Sequence, residues 1–344
     1  MSSVLLLEYF HAHESAYGTA SPSIRAEGRA MLLAVFEDLR DLPDLHVRVA
    51  VCPSAVAQLA MDAEYVLRVD NAASLDELVG AVVADPTDAD IVLAIAPETG
   101  GVLTSFAQNF RRRGFRFLGP RTEVIEACSD KWQTYELLKR RGLPTIPTEL
   151  ATNVERLGLS SDQKCVVKPR DGAGCEGVFS GNMDGVCTKL GNDSVTLQGS
   201  IVQPFVSGLP ISVAMIGQGE GHSPLFLPAT EQNVKWADSW TQYLGGTIPA
   251  SLPTAAQSQL QQMCHKIAWA LQLEDGYVGV DMIFSDGELL ITDINPRLCT
   301  AYVGYRAATK HNLMTSMLQT SVGETPAWKP TPLTFTCNGH VATA

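Results

Sequence analysis

In the first 120 residues, short apolar runs alternate with stretches of helical periodicity, and this alternation restricts the fold more than any other feature of the chain. Val4 to Leu7, Val47 to Val51 and Ile91 to Ala96 read as strands, with helices from about Ile24 to Arg40 and near Leu75 to Val83 between them. Such a rhythm predicts βαβ units around a parallel sheet. Pro97-Glu98-Thr99-Gly100-Gly101 follows the last of these strands. In open α/β sheets ligands gather outside the carboxyl ends of the strands, so this turn is a candidate binding element. The plain alternative is a tight turn leading into a capped helix.

With 344 residues, 45% of them hydrophobic, the chain can bury two or three domain-sized cores. A formal charge of −12 argues against nucleic acid or an acidic membrane surface as a partner. MSSVLLLEYF has no basic leader region, and no apolar run reaches the roughly 20 residues of a membrane span. The eight cysteines form no CxxC pair and have no histidine at ligand spacing, so reduced thiols in a cytoplasmic protein are expected.

A second unit begins at Gly119-Pro120. Its helix, SDKWQTYELLKRRGLPTIPT, has Ser129 or Asp130 to cap its start, Gly142 after its last turn and Pro144 to stop it. Cys165 to Lys168 is a β-rich run leading into a glycine-rich loop, Asp171 to Val178. From there to about Gly221, Gly, Asn and Asp punctuate what reads as short strands. The last third predicts a helix near Ala255 to Leu271, then a hairpin of Val278 to Phe284 and Leu289 to Asn295. The proline-rich tail from about Gly323 is expected to lie over the surface as irregular chain.

The hairpin carries Asp281 and Asp293, and its second strand ends Asp-Ile-Asn-Pro-Arg. Two carboxylates and the Asn295 amide on one sheet face would suit Mg²⁺, which takes hard oxygen ligands. A two-residue turn at Asp286-Gly287 would put Asp281 opposite Thr292 and leave Asp293 on the other face. A three-residue loop with a left-handed Gly287 is therefore expected; the alternative is an edge hairpin whose acids meet water. In RDGAGCEGV the glycines let backbone N–H groups approach phosphate, and Lys168 adds a point charge beside them, although no Walker A triplet follows. Taken singly, Lys131 reads as a surface lysine and Gln203-Pro204-Phe205-Val206 as an ordinary strand.

In their order, DKWQTYELLKRRGLPTIPT, VVKPRDGAGCEGV, IVQPFVSG, GYVGVDMIF and ITDINPRL resemble the ATP-grasp superfamily over about Ser129 to Gly304. The resemblance implies a fold of mixed α/β and α+β class: a parallel α/β pre-ATP-grasp domain over 1–120, then a two-lobed ATP-grasp fold. The lobes would be 121–200, with the glycine-rich loop, and 201–330, with the metal site, followed by a tail over 331–344. It further implies that Lys131 and Lys168 hold ATP phosphates under the loop of Asp171, Gly172, Gly174 and Gly177. Gln203, Phe205 and Val206 would cradle adenine. Asp281, Asp293 and Asn295 would bind Mg²⁺, usually two ions in this family, with Mn²⁺ as a substitute. Arg297, with Lys168, would act in catalysis by steadying the transferred phosphoryl group. Two departures stand out: Asp293 replaces the usual Glu, and Gly208-Leu209-Pro210 supplies no acid for the ribose.

LLLEYF, PSIRAEGRAML and TQYLGGTIP look like the tyramine–glutamate ligases of methanofuran synthesis and their bacterial relatives. That likeness implies a small-molecule carboxylate and an amine as partners, joined through an acyl-phosphate, with a homodimer as a further expectation. It places Pro22, Ser23, Glu27, Gly28 and Arg29 toward substrate. Arg297, Arg306 and Lys310 could hold carboxylates, though Arg306 and Lys310, four apart, equally suit a solvated helix face. The competing readings are a ligase for another amino acid or peptide, and a nucleotide-binding regulator without turnover.

Overall fold

The computed structural model describes residues 2–70, 72, 74–83, 90–237 and 240–343. Ser2–Glu8 is the central strand of a five-stranded parallel sheet, in the order Val66–Arg68, Leu45–Val51, Ser2–Glu8, Ile91–Ile95, Arg116–Phe117. Val4 and Leu6 enter one core with Val35 and Leu39, while Leu5 and Leu7 enter another with Phe106 and Phe110. A strand covered on both faces needs apolar residues at every position, which explains the unbroken VLLL run. The helix Pro22–Arg40 covers one face; the Ser21 hydroxyl accepts the Ile24 N–H at its start and proline takes its first position. Strand order reverses between Ser2–Glu8 and Ile91–Ile95, so a crevice opens beyond Glu8 and Ile95.

A four-stranded antiparallel sheet follows, in the order Glu149–Leu150, Ser200–Pro204, Lys164–Pro169, Phe179–Asn182. Its outer face is covered by helices Met183–Asn192 and Ser194–Gly199, where the sequence suggested short strands. The polar residues read as strand breaks are helix caps. Asn182 accepts the Gly185 N–H, Asp193 accepts those of Val195 and Thr196, and Met183, Val186 and Leu190 supply the buried stripe.

The third sheet has eight strands. Its main path runs Glu288–Asn295, Tyr277–Ser285, Leu209–Ile216, Thr230–Ala237, Trp240–Ile248, Leu333–Thr336, Val341–Thr343, and Leu225–Phe226 pairs beside Leu209–Ile216. The helix Thr254–Leu271 fills the core on one side through Leu260, Cys264, Ile267 and Leu271. The tail is therefore not irregular throughout. Leu333 and Phe335 are buried and their neighbours are not, a period of two that the flanking prolines obscured. Gly245, at φ +129°, makes this pairing feasible, since a β-carbon there would stand 1.9 Å from the Phe335 carbonyl oxygen.

Candidate active site

The hairpin meets the expected outcome by a different device. Its loop has two residues, Asp286 and Gly287, both at positive φ, and Ser285 pairs with Glu288. The predicted odd-length loop is wrong. Parity is instead corrected by a β-bulge at Thr292: the ladder shifts between Met282 and Asp281, which brings Asp281 opposite Asp293 and Gly279 opposite Asn295. Asn295 Nδ2 donates to Asp281 Oδ2 at 3.1 Å, and Gln232 Nε2 donates to Asp281 Oδ1 at 2.9 Å from the strand Thr230–Ala237.

Lys131 is the first residue of the helix Lys131–Arg140, capped by Asp130, whose carboxylate is itself fixed by Arg170. The cap aims Lys131 across the cleft. Its Nζ lies 3.1 Å from Asp293 Oδ2 and donates to the Gly172 carbonyl at 2.8 Å. Lys168, near the end of the strand Lys164–Pro169, lines the same space. These groups border a cavity of about 570 Å³ between the two antiparallel sheets. Ile146, Val166, Val206 and Met282 form apolar wall in it.

The remaining predicted residues divide. Gly172 and Gly174 line the cavity. Asp171 does not; its carboxylate accepts the Gly100 N–H at 3.1 Å and its carbonyl the Thr99 hydroxyl at 2.8 Å, latching the loop to the Pro97–Gly101 turn. Gly177 folds back on Pro169, where a β-carbon would meet Cγ at 2.8 Å. Gln203 is buried, with Nε2 donating to Thr148 Oγ1 at 2.9 Å, so its side chain braces the strand end that Phe205 and Val206 continue. The Phe205 N–H donates to the Lys164 carbonyl at 2.9 Å, and its ring stands edge-on to Trp236.

Arg297 lies at the far end, its Nε donating to Glu98 Oε1 at 2.8 Å. Glu98 Oε2 is buried and has no partner among the described residues. Thr300 donates to Glu27 Oε1 beside it. Glu98 belongs to the turn singled out above, but its pairing spans 199 residues and nothing local announces it. Of the other residues placed toward substrate, Glu27 and Gly28 line a second cavity, while Pro22 and Ser23 are exposed and Arg29 donates to the Gln58 carbonyl. Arg306 is spent on Asp38 and Glu37.

Burial, then the Asp293 charge, pushes the Asp281 carboxyl up to about 6. Burial draws Lys168 below the ordinary lysine range, whereas for Lys131 the opposing carboxylates of Asp293 and Glu98 outweigh burial and raise it. Burial likewise raises Glu27. Among the described residues no three His, Cys, Asp or Glu side chains cluster as a metal cage. Two carboxylates and an amide oxygen on one face nonetheless fit Mg²⁺, which keeps waters and takes phosphate oxygens for the rest of its shell.

A family profile described as the ATP-grasp domain matches residues 128–301, and one described as the pre ATP-grasp 3 domain matches residues 48–125. The chain belongs to the ATP-grasp family. It is similar to the tyramine–L-glutamate ligase of Methanocaldococcus fervens, 25% identical over 249 residues that cover 72% of each chain. It is also similar to the arginine-specific large chain of carbamoyl phosphate synthase from Bacillus subtilis, 22% identical over 60% of this chain, and it spans only 20% of that protein. Among solved structures it matches the biotin carboxylase domain of Hydrogenobacter thermophilus 2-oxoglutarate carboxylase, in complex with MgADP and bicarbonate. That likeness has a TM-score of 0.71 at 15% identity, over 97% of this chain and 73% of the other. The fold is thus a parallel α/β domain followed by an ATP-grasp fold, in a family of ATP-dependent ligases. No helix among the described residues is long and apolar enough to cross a membrane.

Proposed function

We propose that the chain joins a carboxylic acid to an amine with ATP, through an acyl-phosphate. The observation that carries this reading is the convergence of Lys131, Lys168, Asp281, Asp293 and Asn295, from four separate elements, and of Arg297, just after the last of them, on one cavity between two sheets. Adenine would lie against the wall of Val166, Phe205, Val206 and Met282. Lys131 and Lys168 would neutralise the phosphates, with Gly172 and Gly174 covering them.

Asp281, Asp293 and Asn295 would hold Mg²⁺, which when bound draws charge off the terminal phosphoryl group. The acid's carboxylate attacks that group and ADP departs; the work of the protein is positioning and charge neutralisation, as phosphoryl transfer requires. Arg297, whose Nε is held by Glu98, would bind the acyl-phosphate. The latch of Asp171 on Thr99 and Gly100 would keep the loop down and water out while the amine attacks.

The relative named tyramine–L-glutamate ligase supports a narrow form, in which the acid is the γ-carboxyl of L-glutamate and the amine is tyramine. The test is isotopic. With acid labelled by ¹⁸O in its carboxylate, one label per turnover is expected in inorganic phosphate. Phosphate free of label would contradict the acyl-phosphate route.

A further inference from the structure

The second cavity, of about 360 Å³, opens at the strand-order reversal of the parallel sheet, beyond Glu8 and Ile95. Tyr9, Ile24, Met31 and Val102 contribute apolar wall, and Glu8, Glu27 and Glu176 contribute three carboxylates. Arg297 is the one lining cation among the described residues, and Glu98 already engages it. Glu27, Gly174 and Arg297 border both cavities, so the second opens onto the end of the first where acyl transfer would occur.

Glu8 is built in with care. It is 2% exposed, its carboxylate bonds the His11 ring, and it accepts the His11 N–H at 3.0 Å. It presses on Gly28, where a β-carbon would lie 2.7 Å from the carboxyl carbon. Only glycine admits a carboxylate at that point of the helix. Glu27, the adjacent residue, is held by Thr300, and the glycine loop sits above it, with the β-carbon position of Gly174 3.9 Å from Glu27 Oε2.

We infer that this cavity is the amine site, that Glu27 receives the ammonium and takes its proton, and that the carboxylate lining excludes amines bearing a neighbouring carboxylate. This rests on the ligase reading above. The amine arrives protonated, and Glu27 accepts one proton. The freed lone pair forms the C–N bond as the acyl C–O bond breaks. Phosphate leaves with that electron pair and takes the second N–H proton, and Glu27 returns its proton to solvent. Burial, which makes Glu27 a stronger proton acceptor than an exposed carboxylate, suits this step. The aromatic and aliphatic wall fits a compact aryl or alkyl body.

The test uses the full chain with Mg-ADP, titrated calorimetrically with tyramine, phenylethylamine, tyrosine and phenylalanine, alongside ligase kinetics. The amines should bind at least about 100-fold more tightly than the amino acids, because a like charge placed against the lining carboxylates is repelled. Gly28→Ala should raise the amine KM by about tenfold or more through displacement of Glu8, with the ATP KM unchanged. Glu27→Gln, an isosteric change that tests the site should Gly28→Ala misfold, should lower kcat by about 10²–10⁴-fold. Equal binding of amine and amino acid, or kinetics unchanged in both variants, overturns the assignment while leaving ligase activity intact. Amine binding that Gly28→Ala weakens, without turnover on any acid, instead removes the ligase reading and keeps the site.

Discussion

Asp281→Asn should make the protein more stable and less able to bind Mg-ATP. Asp281 shares a face with Asp293 and is part-buried, and these surroundings push its carboxyl from 3.8 up to about 6. The folded state therefore binds the proton more tightly than the unfolded chain does. The ionised group costs stability, and the cost grows as pH rises from about 4 to about 6 and is constant above. A shift of about two units corresponds to roughly 3 kcal/mol. Residual exposure to the cavity screens part of it, and Gln232 or Asn295 must turn its amide to suit the new side chain. A gain of about 1–2 kcal/mol, or about 1–3 °C in the unfolding midpoint of a chain this long, is therefore expected at pH 7. The assay is thermal unfolding from pH 4 to 8 with and without Mg-ATP. The gain should shrink toward pH 4, and the stabilisation by Mg-ATP expected of the native protein should be absent from the variant. A variant that is no more stable than the native protein and still responds to Mg-ATP would refute the assignment of Asp281 as a strained cation ligand.

Other expectations follow from the same geometry. Lys168→Met should remove a phosphate contact and weaken ATP binding by about 10–100-fold, measured by calorimetry, with the apo fold unchanged or stabilised because a buried ammonium is lost. Glu98→Gln should leave nucleotide affinity near native but lower kcat, since Arg297 loses the carboxylate that orients it; rapid-quench and steady-state kinetics separate the two. Asp38→Ala removes the acceptor for the Tyr302 hydroxyl at 2.5 Å and for Arg306 Nε at 2.6 Å. It should cost about 3 kcal/mol in chemical denaturation without altering nucleotide binding, because this network joins the helix Pro22–Arg40 to Ala301–Ala308 away from the site.

Patterns with a local period were legible in the sequence. The parallel strands, the capped Lys131 helix and the hairpin that carries Asp281 and Asp293 all follow from apolar spacing and from end signals within a few residues. Where two local devices give one result, the sequence favoured the wrong one: an odd loop and a bulge both bring Asp281 to Asp293, and Thr292 carries no mark of its bulge. Asn182 and Asp193 mislead for a related reason, since the same residues cap helices and break strands. The pairings that complete the site, Arg297 with Glu98 and Thr300 with Glu27, join residues 199 and 273 positions apart. They depend on how the first sheet meets the third, which no short window encodes. Lys131 is intermediate: alone it reads as a surface residue, and only the family order of motifs points it toward the cavity it lines beside Asp293.

The central proposal is that ATP cleavage is coupled to amide formation. The most direct measurement is ADP and amide released in one reaction with Mg-ATP, across a matrix of amino acids and amines that includes L-glutamate and tyramine. The account predicts ADP only when both an acid and an amine are present, with one amide formed per ADP. ADP release that ignores acid and amine, or tight ATP binding by folded protein with no turnover on any pair, would contradict it.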